Sequence, residues 1–377
     1  MKKILIAPNS FKECCTSVEV SKLIAAEFSG RLKNQYEVIQ LPISDGGDGF
    51  LEVCKQKYNL ISEVVDIPNC YNNENLSVEV GISQGGETLY IESALAFGLK
   101  TIPVEFRHPM NLSSKGLGDL LLHYKKSLLS QNSLIKRIII GVGGTGTTDL
   151  GLGACSRFGL KIFDFYNKEV EVIPSNFYKA AAIEWTPADP GFDIELILDV
   201  RNDLLGKEGA LYIFSPQKGA KFSEIKVLEL GFNKIINLLK NKKLIDSSDN
   251  LFGAGGGLSV GLGSLLRAKC RFGEEFILND LALNNCLNSC EIIITGEGIY
   301  DEQSQMGKGA GLVVQLAKEH NKKVFLICGK VKEKIKEKLQ DNIYPIEMLK
   351  FFSSNEESIN NYKLGLKLAV NEILDQL

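Results

Sequence analysis

Two periods alternate along this chain. Short apolar runs of strand length, at residues 3–7 and 36–41, are each followed by apolar residues at helical spacing. Thr16 opens the first helical stretch, and Glu19, three residues on, completes a capping box. Val20, Leu23, Ile24 and Phe28 then form one apolar stripe, and residues 49–58 predict a second helix. The opening therefore reads β-α-β, the start of a parallel, doubly wound sheet. Strict alternation takes over at 76–83 and 88–93, around Gln84-Gly85-Gly86, and predicts a hairpin. A helix over 117–130, a strand over 137–142 and an irregular stretch over 161–195 follow. An apolar strand at 194–198 ends in Asp199, ahead of a long amphipathic helix at 223–239. From residue 291 the β-α-β order returns, with strands at 291–295, 323–328 and 344–349 and helices at 311–319 and 357–377. The simplest architecture is one α/β domain built from both chain ends, 1–66 plus 288–377. A mixed α/β domain is inserted over 67–287.

Composition narrows the function. At 377 residues the chain is too long for one ordinary core, so two domains are expected. A net charge of −3 with dispersed Lys and Arg gives no case for nucleic acid or an acidic membrane. Two lysines precede Ile4, but the apolar run stops at Pro8, too short for an export signal. Nine cysteines, none spaced C-x-x-C, read as reduced thiols and predict a cytoplasmic protein. Only His108, His123 and His320 occur, and none sits in a glycine loop. A proton acceptor here is therefore Asp or Glu, which argues against a Ser-His-Asp or Cys-His hydrolase.

The candidate chemistry lies in glycine-rich loops that carry carboxylates and follow apolar strands: 41–49, 138–149, 251–263 and 292–301. Glycine lets backbone N–H groups approach a phosphate, and a carboxylate beside it is useful when a divalent cation bridges the two. No Walker A sequence is present, since Gly307-Lys308 is followed by glycine. Gly141-Val142-Gly143-Gly144-Thr145-Gly146 is a literal G-x-G-x-x-G, but Asp149, Gly151 and Gly153 make a poor following helix and put a negative charge near the pyrophosphate. Ser10 and Lys12, at the mouth of the first strand, could hold a carboxylate or a phosphoryl group. Asp45 reads as a base or metal ligand, and Asp48 as a helix cap. Asp199, with Asn202 and Lys218 following, has an active-site composition. Glu297 stands in a predicted tight turn between Gly296 and Gly298.

Taken together, the motifs resemble the glycerate kinase family of the bacterial two-domain type. The matching segments are I-A-P-N-S-F-K (6–12), L-P-I-S-D-G-G-D-G (41–49), I-G-V-G-G-T-G-T-T-D (140–149), D-V-R-N-D-L-L-G (199–206), P-Q-K-G-A (216–220), G-A-G-G-G (253–257) and T-G-E-G (295–298). The resemblance implies a flavodoxin-like domain with a second, inserted α/β domain, and an active site in the cleft between them. It implies ATP-dependent phosphorylation of D-glycerate to 2-phosphoglycerate, with Mg2+. On this reading Asp45, Asp199 and Lys12 are catalytic, and Asp199 is the metal ligand. Ser10, Phe11, Lys218, Glu297 and Asp301 bind substrate. Gly143, Gly144, Thr145, Asp149, Gly255, Gly256 and Gly257 bind the nucleotide. The partner is a small molecule, and both a monomer and a homodimer fit. Departures from the family pattern are Asn9 for Asp, Phe50 for a small hydroxyl residue, Gly146 and Thr148 before Asp149, Ile299 for Arg, and Ala310 for Pro. Two other functions compete: an NAD-dependent oxidoreductase built on the glycines from Gly141, and a non-catalytic sugar-acid-binding protein.

Overall fold

The strands of the computed structural model are, in chain order, β1 (Lys2–Ile6), β2 (Tyr36–Gln40), β3 (Ile61–Pro68), β4 (Asn75–Ile82), β5 (Thr88–Glu92), β6 (Arg137–Val142), β7 (Lys161–Phe163), β8 (Glu169–Val170), β9 (Ala182–Glu184), β10 (Asp193–Leu198), β11 (Lys269–Phe272), β12 (Ile292–Tyr300), β13 (Lys323–Val331) and β14 (Ile343–Glu347). The structure describes the whole chain apart from Lys12, Glu13, residues 32–34, Ser247, Met306, Gly307, Lys338 and Gln340, and of Gln303 the backbone alone. Two compact units result, Met1–Lys57 with Gly273–Leu377, and Tyr58–Phe272.

The first unit carries a five-stranded sheet in the order β14-β13-β12-β1-β2, parallel throughout. Counted within this sheet alone, the order is the flavodoxin-like 2-1-3-4-5, whose ligand crevice opens beyond the carboxyl ends where the order reverses. That reversal lies between β1 and β12. One face is covered by the helices Ser17–Arg31 and Tyr362–Leu374. Their stripe residues Val20, Ile24, Phe28, Leu366, Val370 and Ile373 join Ile4, Ile6, Phe325 and Ile327 in one core. The expected cap is present, with Glu19 N–H donating to Thr16 Oγ1 at 3.2 Å. The closing helix is two helices, Asn355–Asn360 and Tyr362–Leu374, with Asn361 between them.

The second unit carries a six-stranded sheet in the order β11-β10-β6-β5-β4-β3. β11, β10, β6 and β5 run parallel, and β5, β4 and β3 antiparallel. The expected hairpin is β4–β5, and the irregular stretch folds as a small β8-β7-β9 sheet. β3, assigned from sequence to the end-built domain, pairs along its length with β4. Residues 273–287, assigned to the inserted domain, pack in the first unit, where the Phe276 ring lies 5.2 Å from Phe50. The alternation of the central strands decides which face does what. Leu89, Ile91, Ile138, Ile140, Val142, Ile194, Leu196 and Leu198 point into the large core. The alternate positions, Tyr90, Glu92, Ile139, Gly141, Glu195 and Ile197, share the opposite face.

Candidate active site

In the first unit, the loops beyond β1, β2 and β12 gather the predicted residues of that half. Asn9 N–H donates to the Gly296 carbonyl at 2.9 Å, which ties the loop after β1 to β12. Ser10 is half-buried, and its N–H donates to Asn9 Oδ1 at 2.9 Å. Phe11 is 2% exposed, and its ring is part of the core. Lys12 lies outside the described residues.

Asp45 is half-buried on a stiff support. The pairing of β1 and β2 continues past the strands, through Leu41 N–H to Ile6 O and Ile43 N–H to Pro8 O. Asp45 Oδ1 accepts from Gly47 N–H at 3.4 Å. Gly273 presses on the same residue: a Cβ there would stand 2.1 Å from the Asp45 carbonyl oxygen.

Glu297 is not in a turn. β12 runs straight through Thr295-Gly296-Glu297-Gly298, with Glu297 paired to Cys328 of β13. Gly296 serves close strand contact instead, since a Cβ there would meet the Ile327 carbonyl at 1.9 Å. Asp301 starts the helix Glu302–Gln305, where its Oδ1 accepts from Ser304 N–H at 3.3 Å while its own N–H donates to Ser304 Oγ.

In the second unit, β6 and β10 end side by side. Asp199 N–H donates to the Val142 carbonyl at 3.1 Å, so Asp199 stands next to the start of the 143–151 loop. Gly144 is the exposed tip of that loop. Its flanks are held: Leu99 N–H donates to Gly144 O, Gly146 N–H to Phe97 O, and Gly143 N–H to Ser93 Oγ at 3.4 Å. Thr145 is buried and bridges Gly98.

Beneath the loop lies Lys218, 5% exposed. Its Nζ donates to Thr147 O at 2.7 Å and to Thr145 Oγ1 at 3.4 Å. Burial pushes its pKa down to about 8, against the charges of Asp199 and Asp149, which hold it up.

Asp149 is turned inward. Its carboxylate is fully buried and accepts from Ser114 N–H, Ser114 Oγ, Gly151 N–H and Gly153 N–H. Burial raises its pKa, and these four donors oppose the rise. Three of the donors go to Oδ2 and one to Oδ1, so Asp149 anchors the loop against Ser114 and the start of the following helix.

The glycines at 255–257 also differ from expectation. Gly255, Gly256 and Gly257 adopt φ of 59°, 72° and 80°, a left-handed turn ahead of the helical part of Ala254–Leu266. Gly256 and Gly257 N–H both donate to Gly253 O, so these amides are not presented to phosphates. A Cβ at 256 would lie 2.2 Å from the Thr147 carbonyl, the one that Lys218 holds. We expect Gly256→Ala to destabilise the protein by about 1–3 kcal/mol. Thermal denaturation and kcat measured together check this, because the displaced segment is the Lys218 contact.

The G-x-G-x-x-G lacks its helix. Residues 143–151 intervene before the short helix Leu152–Ser156, so no helix N-terminus meets the glycines as a dinucleotide site requires. Two residues of this region were missed from sequence: Ser114, which holds Asp149, and Glu92, buried at the carboxyl end of β5.

Comparison with known proteins bears on the whole chain. Residues 4–377 match the model of the glycerate kinase family. Glycerate 2-kinase of Escherichia coli is 32% identical over 337 residues, covering 88% of this chain and 86% of that protein. Glycerate kinase of Haemophilus influenzae is 32% identical over 339 residues, with 88% and 86% covered. A crystal structure described as a glycerate kinase 2 from Salmonella typhimurium LT2 superposes with a TM-score of 0.77 at 28% identity, covering 100% of this chain and 98% of that one.

Proposed function

The chain belongs to the glycerate kinase family, and from that premise we propose that it transfers the γ-phosphoryl group of ATP to D-glycerate, giving 2-phosphoglycerate, with Mg2+ bound. It is a glycerate kinase, a phosphotransferase with an alcohol group as acceptor. Such transfer asks the protein for positioning, cation charge and a carboxylate base, and no histidine.

The observation that carries the reading is Asp199 at the end of β10, beside the buried Lys218 ammonium and the exposed tip at Gly144. Mg2+ commonly takes one or two carboxylates and completes its shell with phosphates and water. Among the described residues no three His, Cys, Asp or Glu side chains gather as a cage, so a cation held by Asp199 and the nucleotide fits the residues present. When bound, that cation would neutralise charge on the phosphates. Asp45 is the base. It takes the proton of the acceptor hydroxyl as that oxygen bonds to the γ-phosphorus and the bond to ADP breaks. Asp45 suits this task because the Gly273 contact and the extended β1–β2 pairing hold it in place.

Lys218 acts as a positioning residue. Its ammonium fixes the Thr145–Thr147 segment and sets the field at Asp199 from below. Ser10, Lys12, Glu297 and Asp301 serve substrate binding. The exposed backbone at Gly144, with Gly143, faces the nucleotide phosphates.

A coupled ADP-release assay over small hydroxy acids tests the substrate, and phosphorus NMR of the product tests the regiochemistry. Glycerate should be the preferred acceptor, and the product signal should be that of the 2-phosphate. Turnover with another hydroxy acid and none with glycerate would refute the substrate. A 3-phosphate signal would refute the regiochemistry alone.

A further inference from the structure

The crevice of the first sheet opens where its strand order reverses, between β1 and β12. Two pieces of chain flank that point beyond the strand ends. Asn9 follows β1, and its N–H is bonded to Gly296 of β12. The helix Ala310–Glu319 lies between β12 and β13 in the chain, and Gly309 is its N-cap. The two pieces meet, since a Cβ at 309 would stand 2.2 Å from Asn9 Nδ2.

They meet donor against donor. The first N–H groups of a helix have no partner within it, and they carry the positive end of its dipole. Gly309 and Ala310 are buried, and Gly309 brings no side chain to cap the helix. Neither residue's N–H has an acceptor among the described residues. Asn9 is 8% exposed, and its Oδ1 already accepts from Ser10 N–H. The other end of the amide, Nδ2, therefore faces the helix, where it finds no acceptor either. Turning the amide over would only pass the conflict to Ser10 N–H. An oxyanion resolves it, as anions do at other helix N-termini.

Two departures from the family pattern fall at this same place. The pattern has Asp at 9 and Pro at 310. Here an amide replaces the carboxylate, and an N–H replaces a ring nitrogen that has none, so each change adds a donor. The pattern's Arg at 299 is Ile in this chain, so its acid and its base are both neutral here. The nucleotide phosphates have their own proposed donors at Gly143 and Gly144, which leaves the substrate's charge for this end of the helix.

We infer that Asn9 Nδ2 and the N–H groups of Gly309 and Ala310 bind the carboxylate of glycerate. The inference rests on the proposed role of the neighbouring Ser10 in substrate binding.

The test is calorimetric binding of D-glycerate and of D-glyceramide, its uncharged carboxamide, to the full chain in the presence of a non-hydrolysable ATP analogue and Mg2+. The wild type should bind glycerate at least ~10-fold more tightly than glyceramide, because hydrogen bonds to a charged acceptor are the stronger ones. Asn9→Asp sets a carboxylate against a carboxylate. It should weaken glycerate by at least ~10-fold and leave glyceramide within about threefold. Ala310→Pro removes one N–H at a helix position that suits proline, and should weaken glycerate by roughly 10-fold. A purely structural role for Asn9 would lower both affinities alike and overturn the inference. Unchanged glycerate binding in either folded variant would do the same, as would a wild type that binds the two compounds within about twofold. Lost affinity for the ATP analogue with glycerate unaffected would put phosphate here instead, and failure of both variants to fold would assign these residues to structure; each overturns the inference. In all these cases a wild type that binds glycerate leaves the proposed reaction standing. A wild type that binds no glycerate takes down the reaction and this inference together.

Discussion

Asp199→Asn should lower kcat with glycerate by ~10²–10⁴-fold, the range seen when a catalytic carboxylate is neutralised. The substitution keeps size and shape, and the backbone bond from Asp199 N–H to Val142 O does not involve the side chain. The protein should therefore fold, with a melting temperature lowered by the loss of the Asp199 charge beside Lys218. Loss of the charge also leaves Lys218 with Asp149 as its remaining counter-charge, and the ammonium becomes more costly to bury. Two signatures separate a cation ligand from a general base. A ligand variant should need more magnesium for half-maximal rate, and a base variant should keep the wild-type magnesium dependence. Asp45→Asn is the control, with a comparable loss of rate and no change in magnesium dependence. Near-normal turnover in a folded Asp199→Asn would make Asp199 structural.

Lys218 makes the second large prediction, because its effects on activity and stability run in opposite directions with pH. Its pKa is lowered from 10.5 to about 8 by burial. Between those values the unfolded chain holds the proton and the native chain has released it. The unfolded state then binds more protons, so this group's contribution to stability rises as pH goes from about 8 to 10.5. Activity that needs the ammonium falls over the same range, with an alkaline limb centred near 8. Lys218→Met should lower kcat/KM by roughly 10–100-fold, the scale of removing a partner that supports the groups at a site rather than one that touches the reacting atoms. It should also abolish the alkaline limb. A pH–rate profile beside a pH–melting profile reads both effects. A wild-type rate that stays flat from pH 7 to 10 would remove Lys218 from the account.

Much of this arrangement is legible in the residues. Asp199 stands out because an apolar strand ends on a carboxylate, and the end of a strand is where a sheet holds a side chain rigidly. The T-G-E-G run misleads for a different reason. Glycine pairs usually mark turns, but β12 uses Gly296 to bring its backbone close to β13. The same confusion affects 253–257. Glycine there looks like a phosphate cradle, whereas the left-handed turn closes on Gly253 O and fits Gly256 under the Thr147 carbonyl. A run such as G-G-G-L-S-V-G-L-G also has poor intrinsic helix propensity, so the helix over Ala254–Leu266 is imposed by packing of Leu258, Leu262, Leu265 and Leu266. Asp149 shows the general limit. A carboxylate beside glycines looks the same in sequence whether it faces a ligand or, as here, Ser114 and its own loop.

The most direct measurement is transfer of radiolabelled phosphate from γ-labelled ATP to D-glycerate across a series of magnesium concentrations, in the wild type and in Asp199→Asn. The account predicts labelled phosphoglycerate in step with ADP, none in chelator, and in Asp199→Asn a low maximum reached only at higher magnesium. Full transfer in chelator, or ADP released without labelled phosphoglycerate, would contradict it.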